Sequence, residues 1–200
     1  MNRVMLKLKN KKQKSTSIKI IAFVGMSGSG KSSAVDFLKQ KNIPQVYFGG
    51  VVLHALEEGN MEINEKNEKF MREELRQKYG NDVIVKKIID QINNLINAGQ
   101  KRILADGLYS WTEYKILKKA FPKELKIIAL VPDKTQRHKR VANRGVRPLN
   151  LEEVNSRDWS EIENLEKGGP IAMADYFIIN NGSVSKTHKK IEKILKEIEF

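Results

Sequence analysis

The stretch best equipped for chemistry is Gly25-Met26-Ser27-Gly28-Ser29-Gly30-Lys31-Ser32, which satisfies the phosphate-binding loop pattern G-x-x-x-x-G-K-S/T at every fixed position. Gly25, Gly28 and Gly30 admit backbone dihedrals and close approaches that a Cβ would forbid, so successive amide N–H groups can converge on phosphate oxygens. A helix starting at the loop's end adds its positive dipole to the same spot. In such a loop Lys31 reaches the β- and γ-phosphates and the Ser32 hydroxyl is a Mg²⁺ ligand. Ser27, Ser29 and Ser33 complete the expected nucleotide contacts, and a nucleoside triphosphate with Mg²⁺ is the ligand this stretch calls for. A Gly/Ser-rich turn could match the pattern by accident, so the flanking elements decide.

Those flanks are in the confirming order. Ile18-Lys19-Ile20-Ile21-Ala22-Phe23-Val24 is a short β-branched run that reads as a buried strand, and Ser33 to Lys39 has helical spacing. Further on, Gln45 to Phe48 reads as a second strand, Asn64 to Tyr79 as an exposed charged helix stopped by Gly80, and an amphipathic helix follows, capped by Asp82. Strands are also expected at Arg102 to Ala105, Leu125 to Val131 and Tyr176 to Ile179, with helices between them at Trp111 to Ala120, Lys134 to Arg144 and Leu151 to about Lys167. A terminal helix runs from Thr187 to Ile198. Alternating strands and helices imply right-handed crossovers and a parallel sheet covered on both faces.

Two further sets of residues could act at the carboxyl edge of that sheet, where open α/β sheets bind ligands. Asp106, beside Gly107 at the end of the third strand, can complete a Mg²⁺ shell or orient a nucleophile, the competing reading being a turn aspartate. Arg137, Arg140 and Arg144 recur at helical spacing, with Arg147 in the loop beyond. Like charges on one face repel unless anions sit among them, although solvent would also screen them. Arg76 can grip an acceptor phosphate bidentately, or be a surface arginine. His54, His138 and His188 show no metal-ligand spacing, and Trp111 and Trp159 read as packing residues.

Composition bounds the rest. Two hundred residues suit one α/β domain, and a formal charge of +13 favours anionic partners. Arg3, Lys7, Lys9, Lys11, Lys12 and Lys14 lie in a segment without a single acid, so residues 1–17 read as a solvated basic tail, with nucleic-acid binding through it the less favoured alternative. The chain has no cysteine, which leaves no disulfide or thiolate chemistry, and its apolar runs are strand-sized, too short to span a membrane. A cytoplasmic protein is the simplest expectation. Nothing in the sequence sets its oligomeric state.

The loop, Asp106-Gly107 and the arginines after the fourth strand together resemble the nucleoside-monophosphate-kinase-like group of P-loop kinases. A closer resemblance is to dephospho-CoA kinase and the archaeal-type proteins similar to it. It is carried by Gly49-Gly50-Val51-Val52, Leu75-Arg76 with Tyr79-Gly80, Arg144-Gly145 with Arg147, Arg157-Asp158, and Ala174-Asp175-Tyr176 leading to Asn180-Asn181-Gly182-Ser183. The resemblance implies a doubly wound five-stranded parallel sheet in the order 2-3-1-4-5 over residues 18–200, with an acceptor-side insertion near 51–80 and a lid near 134–165. It implies ATP- and Mg²⁺-dependent phosphoryl transfer to a small phosphorylated or nucleotide-like acceptor. Lys31, Asp106 and Arg144 would be catalytic, Arg140, Arg144, Asn180 and Gly182 would border the nucleotide, and Arg76, Gly107 and Arg147 the acceptor. Where related proteins carry an acid after the second strand, this chain aligns Gly50. The alternative is an NTP-binding regulator or nucleic-acid-associated ATPase, against which stand the missing guanine-reading Asn-Lys-x-Asp motif and the lack of interleaved basic and aromatic residues.

Overall fold

The computed structural model describes residues 17–145 and 148–200. The basic segment proposed as a tail therefore lies outside the described residues except for Ser17, and so does Arg147. Five parallel strands, β1 (Lys19–Val24), β2 (Gln45–Tyr47), β3 (Arg102–Asp106), β4 (Leu125–Leu130) and β5 (Tyr176–Ile178), form one sheet in the order β2-β3-β1-β4-β5. The expected order is thus the observed one. Ile21 of β1 stands beside Leu104 of β3 and Lys126 of β4, which puts the exit of β1 in the middle of the carboxyl edge.

Period-two alternation explains why β1 is apolar along nearly its whole length: Ile20, Ala22 and Val24 enter one core, and Ile21 and Phe23 the other. The first core is roofed by α2 (Phe48–Glu58), α4 (Val83–Asn97) and α5 (Trp111–Ala120). Ile88 and Ile92 of α4 are fully buried there, each stabilising the fold by roughly 1.5–3 kcal/mol relative to exposure. The second core is covered by α1 (Lys31–Lys39) and α9 (Val184–Glu197) through Ala34, Val35, Leu38, Ile191, Ile194 and Leu195.

The elements that reach over the carboxyl edge are α3 (Glu65–Tyr79) on one side and α6 (Lys134–Ala142), α7 (Leu151–Glu163) and the short α8 (Gly168–Ala172) on the other. Their starts are fixed by side chains that satisfy otherwise orphaned backbone donors. Asn64 accepts from Asn67 N at α3, and α7 begins with a reciprocal capping box, Asn150 with Glu153. An identical arrangement of Ser110 with Glu113 opens α5.

Three local expectations are corrected. Asp82 precedes α4 but makes no side-chain cap; its carboxylate pairs with Lys86 at 2.9 Å instead. Helix α6 stops at Ala142, so Arg144 sits two residues past the helix rather than on the face shared by Arg137 and Arg140. Trp111 stacks on Tyr114 and packs in the core, but Trp159 is 68% exposed and packs against little.

Candidate functional site

The phosphate loop bridges β1 and α1 and takes its shape from three left-handed glycines, Gly25, Gly28 and Gly30. A Cβ on Gly28 would stand 2.6 Å from the Arg137 carbonyl oxygen, and one on Gly30 would stand 2.6 Å from Asn180 Nδ2, so no other residue type fits either place without displacing its neighbour. Lys31 Nζ donates to the carbonyls of Gly25 (2.7 Å) and Met26 (3.0 Å), folding back over the loop's own backbone. Burial, with the nearby Lys167 charge adding to it, lowers the Lys31 amine to about 7.

The loop is buttressed from behind. Asn180, buried just past β5, donates from Nδ2 to Ser29 O at 2.8 Å and accepts from the Thr187 hydroxyl, so both ends of its amide are used inside the protein. Arg137 is likewise committed: its guanidinium donates to Ser27 O at 2.9 Å and to both oxygens of Asp158 at 2.9 and 2.7 Å. It is a strut between the loop, α6 and α7 rather than one of the arginines available to a phosphate. His138 shares Asp158 at 3.0 Å. Burial alone would raise the Asp158 carboxyl, but the hydrogen bonds from Arg137 and His138 outweigh it and hold the group below the ordinary carboxylate range.

In front of the loop opens a cleft of about 1170 Å³. Pockets for one small ligand usually run to about 300–1,000 Å³, and this one lies just above that range. The structure brings Ser27, Gly28, Gly30, Lys31, Ser32, Gly107, Arg140, Arg144 and Arg76 to its walls. Arg140 leans on Gly182 O at 3.4 Å, while its Nη1 is enclosed without an acceptor among the described residues. Asp106 accepts from Gln45 Nε2 at 3.3 Å, and burial raises its carboxyl. Gly25, Ser29, Ser33, Asp106, Asn180 and Gly182 are not among the residues lining the cleft; Asp106 stands behind its neighbour Gly107, which does. Gly25 and Ser29 are buried in the loop's fold, and the Ser33 hydroxyl lies 3.4 Å from His188.

Sequence reasoning missed the residues that face the loop from α7 and α8. The Glu161 carboxylate accepts from Ser27 N and from Ser27 Oγ, each at 3.1 Å, and from Lys167 Nζ at 2.8 Å. Burial works against the charged form of Glu161, but the Lys167 charge and hydrogen bond, with Lys31 and the Ser27 amide, hold its carboxyl below the usual value. Arg157, one turn back, reaches the same carboxylate at 3.4 Å. On the other wall Arg72 joins Arg76 one helical turn apart on α3, beside Phe48, Val52 and Ile84. Arg76 and Arg157 are marked by the resemblance, but for Arg72, Glu161 and Lys167 the only sequence signal is an excess of charge in a stretch whose apolar face is weak.

Residues 21–167 match the AAA_18 family, an AAA domain, which takes in the loop, Asp106 and the whole α6–α7 wall. A UPF0200 protein of Thermococcus kodakarensis is 32% identical over 182 residues, covering 90% of this chain and 97% of that one. The chain belongs to the UPF0200 family. Another UPF0200 protein, from Sulfurisphaera tokodaii, is 33% identical over 186 residues and is covered to 98%. Among solved structures, a shikimate kinase from Bacteroides thetaiotaomicron superposes with a TM-score of 0.55 at 11% identity, covering 89% of this chain and 98% of its own. A gluconokinase from Sinorhizobium meliloti gives 0.56 at 11%, covering 90% and 93%. At such identities these establish the fold alone: this UPF0200 chain shares the architecture of those two P-loop kinases. No helix among the described residues is long and apolar enough to cross a membrane.

Proposed function

We propose that this UPF0200 protein transfers a phosphoryl group from ATP, with Mg²⁺, to a small phosphorylated or nucleotide-like acceptor. The observation that carries the reading is the Ser27 amide and hydroxyl gripping a carboxylate at the floor of a cleft of about 1170 Å³. A loop whose donors already hold an anion, with an enclosed Arg140 Nη1 lacking an acceptor, fits the charge and donor demand of a triphosphate. For the metal, Ser32 and Asp106 supply the hard oxygen donors that Mg²⁺ prefers. No group of three or more His, Cys, Asp or Glu that could hold an ion occurs among the described residues, so phosphate and water oxygens would complete the shell. When bound, the ion would neutralise charge between the phosphates.

Within that reading Lys31 leaves the Gly25 and Met26 carbonyls for the transferring phosphoryl group and stabilises the charge that develops on it. Arg140 and Arg144 close from the α6 side as a lid over about 134–165, joined by Arg147, and exclude water. Asn180 acts through Ser29, holding the loop in shape, and Gly182 through Arg140. Arg72 and Arg76 bind the acceptor's own anionic group on the 51–80 side, with Gly107 leaving room beside Asp106.

A dephospho-CoA-type acceptor is one member of this class, and Tyr47 bears on it. Its ring lies where a Cβ on Gly49 would come within 2.5 Å, and it also packs beside Gly50. The position of the missing acid is therefore roofed by an aromatic ring, and Asp106 is left to orient the acceptor hydroxyl. Incubating the purified chain with Mg-ATP and a panel of nucleoside monophosphates, dephospho-CoA and phosphorylated sugars, and measuring ADP release, tests the proposal. Acceptor-dependent release that vanishes in Lys31→Ala is the expected result. Nucleotide binding with no acceptor-dependent release from any of them would favour the regulator instead.

A further inference from the structure

Glu161 and Lys167 form a buried pair that neither the loop pattern nor the lid requires. Their side chains are 6% and 8% exposed, the five-residue segment between them is closed by a bond from Lys167 N to Glu161 O (3.1 Å), and both line the cleft. Lys167 is pinned from the other side as well: Gly169 lies so close to Trp111 that a Cβ there would fall 2.6 Å from the indole. Its ammonium also stands 4.8 Å over the Tyr109 ring.

The charges do not cancel. Lys31 feels Lys167, Arg157 and Arg137 against the single carboxylate of Glu161, and Arg137 has its own partner in Asp158. Two amines, Lys31 and Lys167, are therefore gathered around one monovalent anion, with the half-exposed Arg157 guanidinium at its edge. Burying cations in excess is costly unless an anion of higher charge completes the set. Glu161 meanwhile occupies the Ser27 N–H and hydroxyl, the donors a phosphate would need.

We propose that Lys167 is a second phosphate-binding lysine and that Glu161 is its internal competitor, a carboxylate that fills the loop until a phosphate replaces it. This deepens the reading of the loop as a phosphate site and rests on it. On entry of the phosphate, Ser27 and Lys167 exchange one carboxylate for a more highly charged anion. Glu161 swings along α7 toward Arg157, which is 47% exposed and already within 3.4 Å. The displaced carboxylate is then neither unpaired nor buried alone, and α7 itself need not move. Tyr109 and the fixed backbone at Gly169 keep Lys167 in place to receive the phosphate.

Titrating the full chain with inorganic pyrophosphate by calorimetry tests this without any acceptor. Glu161→Gln, which keeps the shape but removes the competing charge, should bind pyrophosphate at least about tenfold more tightly than the wild type. Lys167→Met should weaken binding, and by a larger factor in the Glu161→Gln background than alone, because only there is the ammonium free; a lysine needed merely for packing would show no such coupling. If Glu161→Gln does not fold, Glu161→Asp retracts the carboxylate by one methylene and should tighten binding to a smaller degree. Unchanged or weaker binding by folded Glu161 variants, beside normal wild-type binding, overturns this proposal and leaves the phosphate loop standing. Pyrophosphate binding by none of the proteins overturns both.

Discussion

The two walls of the cleft are built on different principles. The phosphate loop is local: eight consecutive residues, three left-handed glycines and a lysine that bonds the loop's own carbonyls. What holds the loop from outside is assembled at long range: Arg137 and Glu161 bond Ser27 from more than 100 residues away in sequence, and are held in turn by Asp158 and Lys167. On the proposed reading the loop sets where an anion would bind, since backbone N–H groups cannot be exchanged for another chemistry. The wall sets how strongly, because side-chain charge and its partners decide whether the donors are empty or already engaged.

The largest effects should come from breaking the local side. On the proposed reading Lys31→Ala removes the loop cation that would meet the transferring phosphate. Turnover should fall on the order of 10²-fold or more, equivalent to several kcal/mol of transition-state stabilisation, with the melting temperature little changed. Asp106→Asn follows, lowering turnover by about tenfold and raising the Mg²⁺ concentration needed for half-maximal rate. Its carboxylate is disfavoured by burial in the free protein, so the same variant should melt no lower than the wild type. Unchanged turnover and metal titration would return Asp106 to a turn residue.

Legibility divides along the same line. The loop could be read residue by residue because its pattern is contiguous and its mechanism is backbone geometry. The strands themselves followed from β-branched runs such as Ile18 to Val24 and Leu125 to Val131 separated by helices, whereas their order came from the resemblance to P-loop kinases, because runs in sequence do not say which strands lie side by side. Arg137 shows where reading fails: a cation at helical spacing carries no sign of whether it will meet a phosphate or an aspartate 21 residues on. Glu161 and Lys167 lie in a stretch whose pattern announces only a solvated helix, and their burial arises from the packing of α8 on Trp111. Trp159 failed the other way, an aromatic taken for core that found none.

Intermediate effects belong to the wall. Asp158→Asn leaves Arg137 without its counter-charge while keeping part of the hydrogen bonding, and should destabilise the fold by about 2 kcal/mol at neutral pH. Because Asp158 titrates below the ordinary carboxylate range in the folded state, its contribution is complete above pH about 4 and fades as pH falls through the folded value. The variant's acid unfolding curve should accordingly converge with that of the wild type at low pH. Parallel curves down to the lowest pH would remove the strut from the account. Arg76→Ala is expected to raise the acceptor KM by about tenfold with a smaller effect on the KM for ATP, and equal changes in both would place Arg76 outside the acceptor site.

The smallest effect is expected at Trp159, two residues before Glu161 on α7 but turned to solvent. Trp159→Phe should alter stability by no more than about 0.5 kcal/mol, the usual span for surface positions, and leave turnover unchanged. Its value lies in what it isolates. Trp111 is stacked on Tyr114 under the wall, so in the wild type one indole reports the packed base of the wall and the other its solvent face. If Glu161 swings without moving α7, pyrophosphate should leave the emission difference between wild type and Trp159→Phe nearly unchanged. A ligand-dependent change carried wholly by Trp159 would mean that the helix moves as a body, and that the long-range wall closes as one unit instead of yielding a single side chain.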